Sequence, residues 1–161
     1  SKEIISIFVR QFFRKTKKLD FSNPKLTMHQ LITLASIVEK ETGRSEERAR
    51  VAGGCVTRLR LSMKRQSDPT VSCSITKGQV ELRRALSRED LRTPSLYNTY
   101  YIKGLPPGPI ANPGRAAIKA AMNPLNTDEL YFVADGKGGH IFSKNLVEHN
   151  RNVKKWRQMN K

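Results

Sequence analysis

The stretch Leu31-Ile32-Thr33-Leu34-Ala35-Ser36-Ile37-Val38 has almost no polarity and runs straight into Glu39-Lys40-Glu41. A carboxylate carried on an apolar helix stripe loses hydration, its proton affinity rises, and it can hold a proton near neutral pH. That is what a general acid needs. At about 100° per residue, Glu39 shares a face with Met28, Ile32 and Ala35, whereas Lys40 falls with His29, Thr33 and Ser36. A plainer reading fits the same position: Glu39 as the polar end of a buried helix, paired with a nearby Arg. On helical position alone the plainer reading is the more ordinary one. Glu41 lies in the same block, and the physical argument separates the two glutamates only weakly.

Further blocks follow in order. They are Val51-Ala52 with Arg58-Leu59-Arg60-Leu61, Gln66-Ser67-Asp68-Pro69-Thr70-Val71, Leu91 to Tyr100, Gly104 to Gly114, Tyr131 to Gly136, Gly138-Gly139-His140 and Glu148-His149-Asn150. In this order and spacing the chain resembles the YceG-like, or MltG, family of bacterial endolytic murein transglycosylases, over roughly residues 25 to 155. The resemblance implies cleavage of nascent peptidoglycan glycan strands at the membrane, with Glu39 as the catalytic residue, no cofactor, and cell-wall synthases as further partners. It also implies an N-terminal membrane anchor and a LysM-like module beyond this chain, placing the working domain at the bacterial inner membrane, facing the periplasm or cell exterior. Such chemistry needs one carboxylic acid, because the substrate's own hydroxyl attacks. A lysozyme-like hydrolase with Asp68 as second carboxylate, or a binding module that has lost catalysis, are the alternatives. Substrate contacts are expected from Gln66, Asp68, Thr70, Tyr97, Asn98 and Asn112. Asn, Asp and Thr also satisfy backbone groups within turns, so the plain alternative stands beside each.

Composition leaves the partner open. The chain has 161 residues and a formal charge of +16, which suits nucleic acid, anionic lipid or peptidoglycan. No RRM, KH, zinc-finger or basic-zipper pattern is present, and the aromatics cluster at 97–101 apart from the basic residues. Specific nucleic-acid binding is therefore not expected. No apolar run approaches the ~20 residues of a membrane span. His29, His140 and His149 lack metal-site spacing, so no metal is expected, and Glu148-His149 reads as a polar helix face. Cys55 and Cys73 suggest neither a redox motif nor a metal site, and with Thr57, Ser72 and Ser74 they depart from the family pattern.

The elements that must position these groups follow from local signals. Residues 1–24 form a basic amphipathic segment, the expected end of a preceding LysM-like module, with residues 25–161 as the catalytic domain. Thr27 and Gln30 have capping-box spacing and Gly43 suits C′, predicting a helix over about 27–42. Ser45 is the expected cap of a second helix with Val51, Cys55, Val56 and Leu59 on one face. Gly53 and Gly54 inside it each cost about 1 kcal/mol relative to Ala, unless another backbone packs closely there. The pattern breaks over 62–82, with Asp68-Pro69 as a turn. Prolines 94, 106, 107, 109 and 113 make 93–114 an ordered, irregular loop. Asn112-Pro113 predicts the start of an Ala-rich helix, 130–134 and 140–142 a hairpin, and Ser143 the cap of a final helix. The sum is an α+β fold, helices around a small antiparallel sheet with long Pro/Gly-rich ordered loops.

Overall fold

The computed structural model describes residues 2–22 and 25–159. In chain order it contains α1 (Lys2–Thr16), α2 (Met28–Glu41), α3 (Arg48–Arg60), α4 (Asp68–Thr76), a 3-10 turn (Asp90–Arg92), α5 (Arg115–Met122), β1 (Tyr131–Ala134), β2 (His140–Ser143) and α6 (Leu146–Met159). The expected domain boundary lies between residues 24 and 25, and residue 24 is outside the described residues.

The predicted capping box opens α2: the Thr27 side chain accepts from the Gln30 N–H, and the Gln30 side chain accepts from the Thr27 N–H. Leu31, Leu34, Ile37 and Val38 are then fully buried. Leu34 and Val38 pack with Val51, Ala52, Ala117, Ile118 and Ala121 of α3 and α5. The core thus lies among three helices, and the antiparallel pair β1–β2, in register Tyr131 with Ser143 and Ala134 with His140, joins its flank through Phe132 and Phe142. The fold is α+β, as expected. Phe12 of α1 reaches this core, while Ile4, Ile5, Phe8 and Phe13 stay exposed.

The two glycines of α3 are explained by a close approach. A Cβ at Gly53 would stand 2.1 Å from the Leu125 carbonyl oxygen, and one at Gly54 3.0 Å from that of Glu129. The Leu125 N–H donates to the Ala49 carbonyl at 2.8 Å, and the Thr57 hydroxyl donates to that of Thr127 at 2.8 Å. The segment leading into β1 therefore lies directly on α3, which fixes where Tyr131 emerges.

Several local expectations are corrected. Residues 68–76 form α4: Pro69 occupies the first turn, where a missing N–H costs no helix bond. Its polar sequence Asp68-Pro69-Thr70-Val71-Ser72-Cys73-Ser74 hides the apolar period that would have revealed it. Ser45 caps nothing, because α3 begins three residues later after a turn, at Arg48 with Glu47 as N-cap. α5 begins at Arg115 with Gly114 as N-cap, not Asn112. Ser143 ends β2, and Asn145 accepts the Glu148 N–H at the head of α6. Gly43 follows an extended Thr42 and needs no left-handed backbone.

Candidate active site

The C-terminal end of α2 meets α3, the start of α4, β1 and α6 around a cleft of about 400 Å³. Glu41, the last residue of α2, lies in its wall with Gln66, Ser67, Asp68, Tyr100, Tyr131 and His149. Burial pushes the Glu41 carboxyl above its ordinary value; the Ser67 hydroxyl works against this and the Asp68 charge adds to it. The negative end of the α2 dipole opposes ionisation at the same place. The Ser67 hydroxyl donates to Glu41 Oε1 at 2.5 Å.

Glu39 does not line this cleft. Its carboxylate accepts the Gly114 N–H at 3.0 Å through Oε2 and faces Arg48 Nη2 at 3.5 Å through Oε1. Its side chain is 28% exposed. The carboxyl in the cleft wall is that of Glu41, not the expected Glu39. The sequence did carry the signal: Leu34, Ile37, Val38 and Glu41 follow the i, i+3, i+4, i+7 spacing of one apolar stripe, and the first three are fully buried. The Met28, Ile32, Ala35 row beneath Glu39 is less enclosed, since Met28 is exposed and Ile32 half-buried.

The expected substrate residues divide into three groups. Gln66 and Asp68 line the cleft. Asp68 accepts the Tyr100 hydroxyl at 2.6 Å, and Gln66 holds a left-handed backbone (φ 56°) with its N–H on the Thr99 carbonyl. Such a conformation in a non-glycine residue costs about 1–3 kcal/mol and needs support from its surroundings. Tyr97 and Asn112 line a separate depression with Cys73, Lys77 and Ile110. Thr70 and Asn98, also expected to contact substrate, are fully buried and line neither surface. Thr70 bonds Thr99 and the Ser67 carbonyl, and Asn98 donates to the Leu91 and Thr93 carbonyls and accepts from the Tyr100 N–H. Both are internal braces of the proline-rich loop.

Sequence reasoning missed the cationic floor and the far wall. Arg58, 7% exposed, donates to the Leu130, Lys64 and Arg65 carbonyls and lies 4.7 Å from the Tyr131 ring centre. Arg65, 5% exposed, donates twice to the Cys55 carbonyl. His149 stacks on Tyr131, and burial with the nearby Arg58 charge keeps its basicity below the ordinary value. Outside the cleft lining, Glu47 accepts the His140 backbone N–H at 2.9 Å and its ring N–H at 2.8 Å, clasping the hairpin to the α2–α3 corner. Among the described residues no group of three His, Cys, Asp or Glu side chains is placed to hold a metal ion, and no helix is long and apolar enough to cross a membrane.

A sequence model of the YceG-like family matches residues 1–155. The chain belongs to the YceG-like family. It is 38% identical over 156 residues to the endolytic murein transglycosylase of Bacillus subtilis (strain 168), covering 96% of this chain and 42% of that protein. The endolytic murein transglycosylase of Streptococcus pneumoniae (serotype 2, strain D39) is 36% identical over 132 residues, 80% of this chain and 24% of its own length. A crystal structure of a YceG-like protein from Listeria monocytogenes superposes with a TM-score of 0.74 at 35% identity, over 92% of this chain and 46% of that one. This YceG-like chain therefore spans less than half the length of each of these relatives.

Proposed function

We propose that this YceG-like chain is the catalytic portion of an endolytic peptidoglycan transglycosylase, with Glu41 in place of Glu39 as the acid. The observation that carries this reading is one desolvated carboxyl in the wall of a cleft, held by a single hydroxyl donor. The names of the relatives supply the substrate class.

The reaction follows from that group. Protonated Glu41 gives its proton to the glycosidic oxygen between N-acetylmuramic acid and N-acetylglucosamine as the bond from the anomeric carbon to that oxygen breaks. The C6 hydroxyl of the same muramic acid attacks the anomeric carbon, and the Glu41 carboxylate takes that hydroxyl's proton. The acid is regenerated, a 1,6-anhydro end is left, and no water is consumed. An internal nucleophile needs little help beyond positioning. Tyr100 and Tyr131 offer ring faces to sugar C–H surfaces, and Gln66 and Asp68 offer polar partners in the same cleft.

Asp68 favours a second reading. It shares the cleft with Glu41 and acts on its charge, so a lysozyme-like hydrolysis with two carboxylates is the competing chemistry. Mass spectrometry of digested glycan strands decides between them: anhydro ends are one water lighter than reducing ends. Reducing ends would overturn the transglycosylase reading. Glycan strands are the partner this reading requires; synthase contacts, an anchor preceding the 1–24 segment, and action at the inner membrane on its periplasmic or outer face belong to the same proposal. Nucleic acid has no specific part in it.

A further inference from the structure

Ser67 occupies the N-cap position of α4, where a serine side chain ordinarily accepts a backbone N–H of the first turn. Here it makes no such bond. Its hydroxyl is turned the other way, to Glu41 Oε1 at 2.5 Å, from a residue only 5% exposed. Giving up a cap to hold a carboxyl is a choice that helix stability does not explain.

The backbone around Ser67 is fixed from the proline-rich loop. The Ser67 N–H donates to the Thr99 hydroxyl at 3.0 Å, its carbonyl accepts the Thr70 hydroxyl at 2.6 Å, and Thr70 and Thr99 share a 2.8 Å hydroxyl contact. The preceding Gln66 N–H donates to the Thr99 carbonyl at 3.1 Å. Thr70, Asn98 and Thr99 are fully buried. The loop therefore holds the backbone from which the Ser67 side chain reaches Glu41.

We propose that Ser67 is the positioning residue of the catalytic acid: by donating to Oε1 it keeps the transferable proton on Oε2, facing the cleft. This rests on the reading of Glu41 as the acid. With Oε1 serving as acceptor, the proton that leaves for the glycosidic oxygen has one place to sit, and the carboxyl plane cannot rotate between two equivalent states. Preorganisation of this kind acts on the chemical step more than on substrate binding. Other charged or titratable groups face the same carboxyl. Asp68 at the head of α4 raises its proton affinity, whereas His140 of β2 and Arg65 lower it. Arg58 of α3, Tyr100, Tyr131 of β1 and His149 of α6 share the cleft.

Steady-state cleavage of purified, uncrosslinked glycan strands, measured as a function of pH on the 161-residue chain, tests the proposal. Ser67→Ala should lower kcat about ten- to a hundredfold with KM little changed. Loss of a donor to the carboxylate should also move the high-pH limb, where Glu41 gives up its proton, to higher pH. Ser67→Thr should restore both rate and limb. If Ser67→Ala does not fold, Ser67→Gly, a residue well tolerated at caps, should show the same two changes. A Ser67→Ala or Ser67→Gly enzyme with normal rate and profile, beside an inactive Glu41→Gln, overturns the role of Ser67 alone. A uniform loss at every pH with an unmoved limb also overturns it, since that is a structural effect. An active Glu41→Gln overturns the underlying reading of the acid as well.

Discussion

Glu39 and Glu41 stand two residues apart on one helix and meet opposite surroundings. About 200° of helical rotation separates them. Glu39 turns toward the start of α5, where a backbone N–H and an arginine compensate a charge in contact with water. Glu41 turns toward the cleft, where burial and the Asp68 charge work against ionisation and one hydroxyl is its bonded partner. A compensated carboxylate is suited to holding α2 against α5. An under-compensated one is suited to lending a proton. The helix supplies both kinds of site because its two faces meet different neighbours, and the sequence block EKE alone does not say which is which.

The largest expected effect separates the two directly. Glu41→Gln should lower glycan cleavage by about 10²–10⁴-fold or more, the usual contribution of general acid–base catalysis. The fold should stay intact, because an amide replaces a carboxyl already disposed to be neutral. Glu39→Gln should keep activity within about tenfold, since it disturbs a contact outside the cleft. Rates on purified strands with thermal melts of each variant check both, and the reverse ranking would return the acid to Glu39.

Next in size is the wall that Glu41 depends on and Glu39 does not. Gly53→Ala gains about 1 kcal/mol in helix propensity, but its Cβ would fall 2.1 Å from a backbone carbonyl oxygen, which no rotamer change relieves. Overpacking typically costs about 1–3 kcal/mol, so a net loss of stability is expected, with displacement of the segment that carries Tyr131 into the cleft. Gly43→Ala, with nothing within 4 Å of the added Cβ, should be close to neutral. A Tm for Gly53→Ala at or above that of the parent would refute the packing argument.

A smaller effect tests the charge that acts on Glu41. Asp68 raises the proton affinity of Glu41, so Asp68→Asn should lower it. The acid form is then lost at lower pH, and the high-pH limb of kcat should move down, opposite to the shift expected for Ser67→Ala. Tyr100 keeps an oxygen acceptor in the amide, so the rate at the optimum should fall only severalfold. A hydrolase using Asp68 as second carboxylate would instead lose about as much as Glu41→Gln does.

Local signals with a single physical cause were legible in the chain. The Thr27–Gln30 capping box, the apolar run of α2 and the Asp135–Gly139 turn between β1 and β2 appear as read, and of the two alternatives left open at Gly53 and Gly54 the close backbone is the one found. What was not legible depends on tertiary partners. α4 was hidden because a short polar helix has no apolar period, and its Ser67 cap is spent on Glu41. Thr70 and Asn98 look like ligand groups in sequence, and burial decides that they brace a loop. The buried arginines of the cleft floor could not be told from the many surface cations of a +16 chain.

The smallest effect lies at Glu39 itself. Arg48 approaches it at 3.5 Å with 16% of its own side chain exposed, and Arg48 Nε is buried without a partner. A single-contact pair near the surface typically couples by about 0.2–1 kcal/mol, and losing an orphaned buried donor offsets part of what the charge contributed. Arg48→Met keeps an unbranched apolar stem and removes both the charge and the orphan. A double-mutant cycle of Arg48→Met with Glu39→Gln should therefore give a coupling of no more than about 1 kcal/mol, shrinking as salt is raised. Glycan cleavage should change little in all three variants. A coupling well above that range, or a large loss of activity in Arg48→Met alone, would mean that the Glu39 side of α2 belongs to the working site and that the contrast between the two glutamates has been drawn in the wrong place.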